Sequence, residues 1–326
     1  MYKLDVKDRK ILYELDINCR QSNAQIGKKV GLGRDVVAYR IKRMQDEGII
    51  KAFWTAIDTF RLGYNVYRIY INFDYLITPD IKKEIIQHFC EYKNAWAVLT
   101  VKGPVDFDAV IWVKDIYEFY RFWDKTLDKY DEYLAKYFVS IYIQASDYKK
   151  SYLLFNEPVN SNRLLYSIRA GGKSVQIDEI DYKILDELAI NARLPLVELA
   201  EKLGCSSQSI NYRIKNLIKN GIIRAFRVHI DYLKLGLQNF AVDLYLRRYK
   251  EKKAIIDYIQ HNPHLFCLNI AVGWSDLGLE FVIENTEKLI KTIEDLNVKF
   301  PGAIKKYDIW LSKEVHRERW LPEIYD

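Results

Sequence analysis

The sequence predicts an α+β protein of tandem design, in which a three-helix head and a strand-containing body each occur twice. Three observations carry that prediction. Shifted by 173 positions, residues 4–63 align with 177–236 without a gap, and 25 of the 60 aligned positions are identical. Within each aligned segment, apolar residues recur at helical spacing between turn-forming residues. A weaker repeat follows at a shift of 170: GPVDFDAVIWV at 103–113 resembles GWSDLGLEFVI at 273–283, and Lys136-Tyr137 matches Lys306-Tyr307. The chain therefore reads as head (1–63), body (64–150), linker (151–176), head (177–236) and body (237–326). Asn156, Pro158, Asn160, Asn162 and the pair Gly171-Gly172 mark the linker as a break in regular structure.

In the first head, Asp5 is a fitting N-cap and Asp8 supplies the acid of a capping box. Ile11, Leu12 and Leu15 then continue at helical spacing. A second, short helix covers 24–30 and stops at Gly31; a third runs over 34–47 and stops at Gly48. Residues 49–58 (IIKAFWTAID) alternate and are β-branched or aromatic, as a wing strand is. Three helices with a short turn before the third, followed by a wing, is the winged helix-turn-helix layout. The second head repeats it.

The third helix is where function can be weighed. Val37, Ile41 and Met44 fall on one stripe, as do Ile210, Ile214 and Leu217, and that stripe must face the core. The outer side then carries Arg34, Asp35, Tyr39, Lys42 and Arg43 in the first head. In the second it carries Ser206, Ser207, Gln208, Asn211, Tyr212, Lys215 and Lys219. These donors and acceptors suit base edges and phosphates, and Ser206 is a fitting N-cap for its helix. A charged helix face is also what any solvated helix presents. Arg40 and Arg213 sit at the stripe's edge, open to an ion pair with Glu14 and Glu187 or to a phosphate contact. From Ser206 to Arg227 there are five basic residues and no acids; from Gly33 to Trp54, five basic residues stand against three acids. The second head is thus expected to make the stronger phosphate contacts, since counterion release scales with the phosphates neutralised.

A net charge of +6 permits a nucleic-acid partner without requiring one. Cys19, Cys90, Cys205 and Cys267 form no CxxC pair, so neither a zinc site nor a disulfide framework is expected. No apolar run reaches the length of a membrane span, and MYKLDVKDRK has no apolar core of a signal peptide. A cytoplasmic protein without a cofactor is the expectation. P-loop, GxGxxG, HExxH and GxSxG motifs are absent from the sequence.

The heads resemble the Lrp/AsnC family of prokaryotic regulators. The residues that carry the resemblance are the Asp-x-x-Asp start, Ile-Leu-x-x-Leu, Asn-x-Arg at 18–20 and 191–193, Gly31 and Gly204, the Arg-Ile of helix three, Gly-Ile-Ile, and the closing Ile-Asp and Leu-Gly. The resemblance implies a transcription regulator bound to double-stranded DNA, with bodies of a ferredoxin-like βαββαβ, ligand-sensing type. Strands would fall near 66–75, 95–102, 107–114 and 135–145, then near 239–247, 264–272, 277–284 and 304–313. Helices would fall near 79–92, 116–133, 250–261 and 286–299. It further implies body–body assembly, here an intramolecular pseudo-dimer and a possible homo-oligomer. A small effector such as an amino acid would bind near a Gly-x-x-Asp loop, which here is Gly103 with Asp106 and Gly273 with Asp276; such a pair is equally an ordinary hairpin turn.

Family members usually have one head and one body. Fusion frees the two heads to diverge, and RDVVA at 34–38 shares no polar residue in register with SQSIN at 207–211. The two heads are therefore expected to read different half-sites. Two rival readings remain. Siroheme decarboxylases share the head-and-body fold, but likeness to them calls for His-Asn-Tyr-x-Arg in the body. Tyr92-Lys93-Asn94-Ala95-Trp96 and His261-Asn262-Pro263-His264-Leu265 stand there instead, neither with the full set. The other rival is a DNA-architectural protein with little sequence preference.

Overall fold

The computed structural model describes residues 4–154 and 162–323. The first head comprises α1 (Val6–Ile17), α2 (Asn23–Val30), α3 (Arg34–Asp46) and strand β1 (Ile50–Ile57). The second comprises α6 (Glu179–Ile190), α7 (Leu196–Leu203), α8 (Ser207–Lys219) and β7 (Ile223–Ile230). Asp5 and Asp8 form the expected capping box at α1. Gly31 and Gly204 end the second helix of each head in the left-handed region, which glycine enters without steric cost.

The expected wings differ from independent wings. β1 and β7 pair antiparallel with each other, from Ile50↔Ile230 to Ile57↔Ile223, and form a sheet of two strands shared by the heads. Each strand thereby satisfies its backbone groups on the opposite head. The Asn-x-Arg motifs reinforce the exchange. Arg20 donates to the carbonyls of Ala192 and Leu194 at 2.7 and 3.1 Å. Arg193 donates to the carbonyl of Cys19 at 2.7 Å and to Asn23 Oδ1 at 3.0 Å. The two heads are thus one packed unit, with a core that runs through both.

The first body comprises β2 (Asn65–Phe73), α4 (Pro79–Glu91), β3 (Ala95–Lys102), β4 (Phe107–Val113), α5 (Ile116–Tyr130) and β5 (Leu134–Tyr148). The second comprises β8 (Gln238–Leu246), α9 (Lys252–Ile259), β9 (Leu265–Val272), β10 (Leu277–Ile283), α10 (Thr286–Lys299) and β11 (Ile304–Glu318). The sheets run β5-β2-β4-β3 and β11-β8-β10-β9, which is the βαββαβ arrangement expected. The bodies are not separate ferredoxin-like units, however. β3 pairs with β11 and β5 with β9, and these two seams close the eight strands into a barrel. An open sheet edge carries unpaired backbone donors and acceptors, and closure removes it.

Alternation along the strands sorts side chains between two environments. Tyr67, Ile69 and Ile71 of β2 pack under α4 and α5. Tyr70, one residue out of phase, joins Val101, Val105 and Trp310 in a separate apolar cluster. On that same side, Arg68 makes a bidentate pair with Asp108 at 2.8 and 2.7 Å, meets Tyr142 Oη at 2.7 Å, and lies 4.6 Å from the Trp310 ring. The Arg68–Asp108 pair is thus buried among aromatic side chains with its hydrogen bonds made, as buried charge requires.

The stretch 151–176, expected to break regular structure, holds strand β6 (Leu164–Arg169), which pairs antiparallel with β5. Arg163 fixes its start: it is fully buried and donates to the carbonyls of Lys149, Gln260 and Leu265 at 2.9, 2.7 and 2.7 Å. Asn156, Pro158 and Asn160 lie outside the described residues.

Candidate nucleic-acid interface

The amphipathic reading of helix three meets its geometric requirement in both heads. Val37, Ile41 and Met44 are buried, as are Ile210, Ile214 and Leu217. Tyr39 and Tyr212, at equivalent positions, are 65% and 66% exposed, and Lys42 and Lys215 also face outward. Arg34, Asp35, Ser206, Gln208 and Lys219 are exposed; Arg43, Ser207 and Asn211 are half-buried.

The two heads spend their charge differently. In the first, Lys42 pairs with Asp46 at 2.7 Å, Arg43 with Asp8 at 2.7 Å, and Arg34 lies 3.6 Å from Asp35. Arg43 also lies over the Tyr39 ring at 5.9 Å. In the second, Lys215 and Lys219 have no ion-pair partner among the described residues. The expectation for Arg40 and Arg213 needs correcting. They pair with the acids that begin the first helix, Arg40 with Asp5 and Asp8, Arg213 with Asp178 and Asp181, all at 2.7–2.8 Å. Glu14 and Glu187 instead hold Lys29 and Lys202 at 2.6 and 2.7 Å. Six residues, about 1.7 turns of helix, separate Asp8 from Glu14 and Asp181 from Glu187, and sequence spacing within α1 or α6 does not say which of them meets helix three.

Ser206 caps α8, its hydroxyl accepting from Ser209 N at 3.1 Å, whereas Gly33 gives α3 no side-chain cap. Ser206→Ala is expected to lower stability by about 1 kcal/mol, read as a shift in urea midpoint at unchanged slope. The same denaturation curve for both proteins would show that the cap contributes nothing.

The Gly-x-x-Asp loops serve the barrel seams. A Cβ on Gly103 would stand 2.7 Å from Trp310 Cβ and 2.8 Å from the Ile309 carbonyl; one on Gly273 would stand 2.6 Å from the Val139 carbonyl. Each glycine therefore lets the loop of one body press on the terminal strand of the other. The Asp106 carboxylate accepts from Phe73 N at 3.0 Å and that of Asp276 from Leu246 N at 2.7 Å, closing the strand ends beside them. Neither loop lines the two described clefts, of about 390 Å³ beside Lys114 and Tyr182 and about 440 Å³ beside His88 and Lys129. In the body stretches read above, Asn94 donates to Glu118 at 3.0 Å, and the Nδ1 of His264 lies 2.8 Å from the Val282 carbonyl.

Sequence reasoning missed the junction between heads and barrel. Asp16 of α1, wholly buried, receives Arg227 of β7 at 2.8 and 3.0 Å and Lys150 at 2.5 Å, while Arg227 also reaches Asp147 at 2.5 Å. Burial pushes Lys150 down to about 8, helped by the neighbouring Arg227 and opposed by Asp16. The repeat held the signal. The positions equivalent to Asp16 and Arg227 are Ala189 and Trp54, and there Trp54 stacks on Trp320 at 3.8 Å.

Comparison with known proteins places these observations. The AsnC-type helix-turn-helix domain family matches residues 4–45, and the winged helix-turn-helix DNA-binding family matches residues 177–224. An uncharacterized HTH-type transcriptional regulator of Pyrococcus abyssi is 32% identical over 124 residues, which span 36% of this chain and 81% of that protein. The HTH-type transcriptional regulator LrpB of Bacillus subtilis is 29% identical over 144 residues, 44% of this chain and 93% of that one. Among solved structures, the siroheme decarboxylase NirDL superposes with a TM-score of 0.65 at 12% identity, covering 98% of this chain and 94% of its own. That likeness concerns the fold, and it extends over both heads and both bodies.

Proposed function

The chain belongs to the Lrp/AsnC family of helix-turn-helix regulators, and from that premise we propose that it is a DNA-binding transcription regulator presenting two unlike recognition helices from one scaffold. The observation that carries the reading is the outer face of α8, where Gln208, Tyr212, Lys215 and Lys219 are exposed and neither lysine is neutralised. Phosphate contacts position a protein on the duplex, while base contacts specify the sequence. Lys215 and Lys219 suit the first task. Asn211 and Gln208 carry the paired donor and acceptor that match adenine in the major groove. In the first head the basic residues of α3 are already held by Asp46, Asp8 and Asp35, so its share of the electrostatic attraction is smaller. The heads are clasped by Arg20, Arg193 and the β1–β7 pairing, which holds the two helices in a fixed relation.

Footprinting on the protein's own promoter, at several salt concentrations, tests this. Lys215→Ala is expected to weaken binding on all sequences and to reduce the salt slope by about one. Asn211→Ala is expected to relax base preference under one half of the footprint only. Unchanged footprints for both variants would remove α8 as the reading element. Protection of equal extent on two symmetric half-sites would remove the division between the heads. A specific-to-nonspecific ratio near one would instead favour the architectural role.

A further inference from the structure

The two halves of the barrel treat one strand edge differently. β5 and β11 are each 15 residues long, and each changes partner midway. β5 pairs with β2 up to Ile141 and with β9 beyond it. On the side that β2 leaves, β6 takes over, antiparallel, from Gln144↔Arg169 to Tyr148↔Leu164. β11 pairs with β8 up to Leu311 and with β3 beyond it. On the side that β8 leaves, no described strand pairs with residues 312–318. Exposure records the difference. Ala145, beside Ile168 of β6, is 6% exposed; Val315, its counterpart 170 positions on, is 52% exposed.

We propose that the open edge of β11 at 312–318 receives an extended segment of a partner protein, running antiparallel, in the position that β6 holds on β5. The register of β6 states what such a segment must carry. Transferred by 170 positions, it sets the place of Ile168 opposite Val315 and that of Arg169 opposite Glu314. The partner therefore supplies a branched aliphatic residue to cover Val315 and, beside it, a basic residue to meet Glu314. Main-chain hydrogen bonds supply affinity in such strand addition, and alternate side chains supply selectivity. A second copy of this chain is a poor occupant. Two β11 edges related by a two-fold axis at Val315 would set Lys313 opposite Arg317, and like charges directly opposite are destabilising. β11 carries the irregularity of β5 at the matching place, between Ser312 and Glu314, and β5 accepts β6 across it; a second irregularity, between Val315 and Arg317, has no counterpart in β5, so the transferred register applies at Glu314 and Val315.

A fluorescently labelled peptide of the sequence NRLLYSIRA, residues 162–170, provides the probe. Titrated with the full chain and followed by anisotropy, it is expected to bind saturably. Val315→Asp is expected to weaken that binding at least about tenfold, with circular dichroism and thermal melting confirming an intact fold. Two further peptides, N-methylated on alternate residues in opposite phase, separate strand pairing from general stickiness: one should bind and the other should not. The proposal fails if the unmodified peptide does not saturate, if the Val315→Asp protein binds it equally, or if both N-methylated peptides bind alike. Concentration-dependent self-association abolished by Val315→Asp would also overturn it, by giving the edge to a second copy.

Discussion

Replacing Asp16 by alanine is expected to lower folding stability by about 3–5 kcal/mol, the cost of breaking a buried ion pair on one side. The size follows from what remains behind. Asp16 is fully buried and is the common acceptor of Arg227 and Lys150. Without it, Arg227 keeps Asp147 and the Tyr148 carbonyl at 3.4 Å, and Lys150 loses the carboxylate that lies 2.5 Å away. Denaturant unfolding at neutral pH measures the loss, and a value below about 1 kcal/mol, the range of exposed pairs, would show that the cluster is not sealed from water. Replacing Asp16, Arg227, Lys150 and Asp147 together by apolar residues of matching volume should recover most of the loss, because no buried charge is then left without its partner. Acid titration gives an independent reading. Burial opposes the charge on Asp16, yet Arg227 and Lys150 prevail and hold its carboxyl below the ordinary 3.8. A group whose folded value lies below its unfolded value stabilises the protein above the unfolded value, and that contribution is lost as pH falls through the folded value. The wild-type chain should therefore lose below pH 3.8 a component of stability that the Asp16→Ala chain lacks at every pH.

The second large effect is expected at the barrel seam. Gly273→Ala places a methyl group 2.6 Å from the Val139 carbonyl, on a backbone with φ of +103° that side chains with a Cβ rarely adopt. Overpacking against backbone and the backbone strain together should cost about 2–4 kcal/mol. The β5–β9 seam beside it should open first, seen as faster amide exchange at Ile141–Asp147 than at β2–β4. Uniform exchange across the barrel, or a stability change within a few tenths of a kcal/mol, would mean that the loop relaxes away from β5. Asp276→Ala removes only the carboxylate that closes on Leu246 N, and the milder outcome expected there distinguishes the loop's close approach from its hydrogen bond.

Much of this architecture is legible in the sequence because it is local or repeated. Helix three declares its buried stripe through Val37, Ile41 and Met44 and its N-cap through Ser206, while Gly204 marks the end of the helix before it. The body strands near 95–102, 107–114 and 277–284 match β3, β4 and β10 within a residue. What could not be read depends on contacts distant in sequence. Residues 49–58 alternate as a strand should, but nothing in them names β7 as the partner. In the sequence Arg40 has candidate acids at both Asp8 and Glu14, and only the way α1 packs on α3 selects Asp8 and leaves Glu14 to Lys29. Gly103 and Gly273 look like turn glycines, and the strand pressing on each comes from the other body. The linker concealed β6 because Leu164–Arg169 is short and lies between turn formers. Asp16 and Arg227, 211 residues apart, carry no local pattern at all. Their trace in the sequence is that the repeat replaces them with Ala189 and Trp54.

Both halves of the barrel lie on one polypeptide, so closing its two seams is a first-order event. Dilution that would separate two chains joined by the same β3–β11 and β5–β9 contacts leaves this one closed, since its halves are held at a permanently high effective concentration. In a symmetric pair of identical chains, every change made at one seam or junction is made at the other as well. Here a change is made once, which is how an ionic joint at Asp16 and a stacked tryptophan joint at Trp54 can coexist at matching places in the same fold.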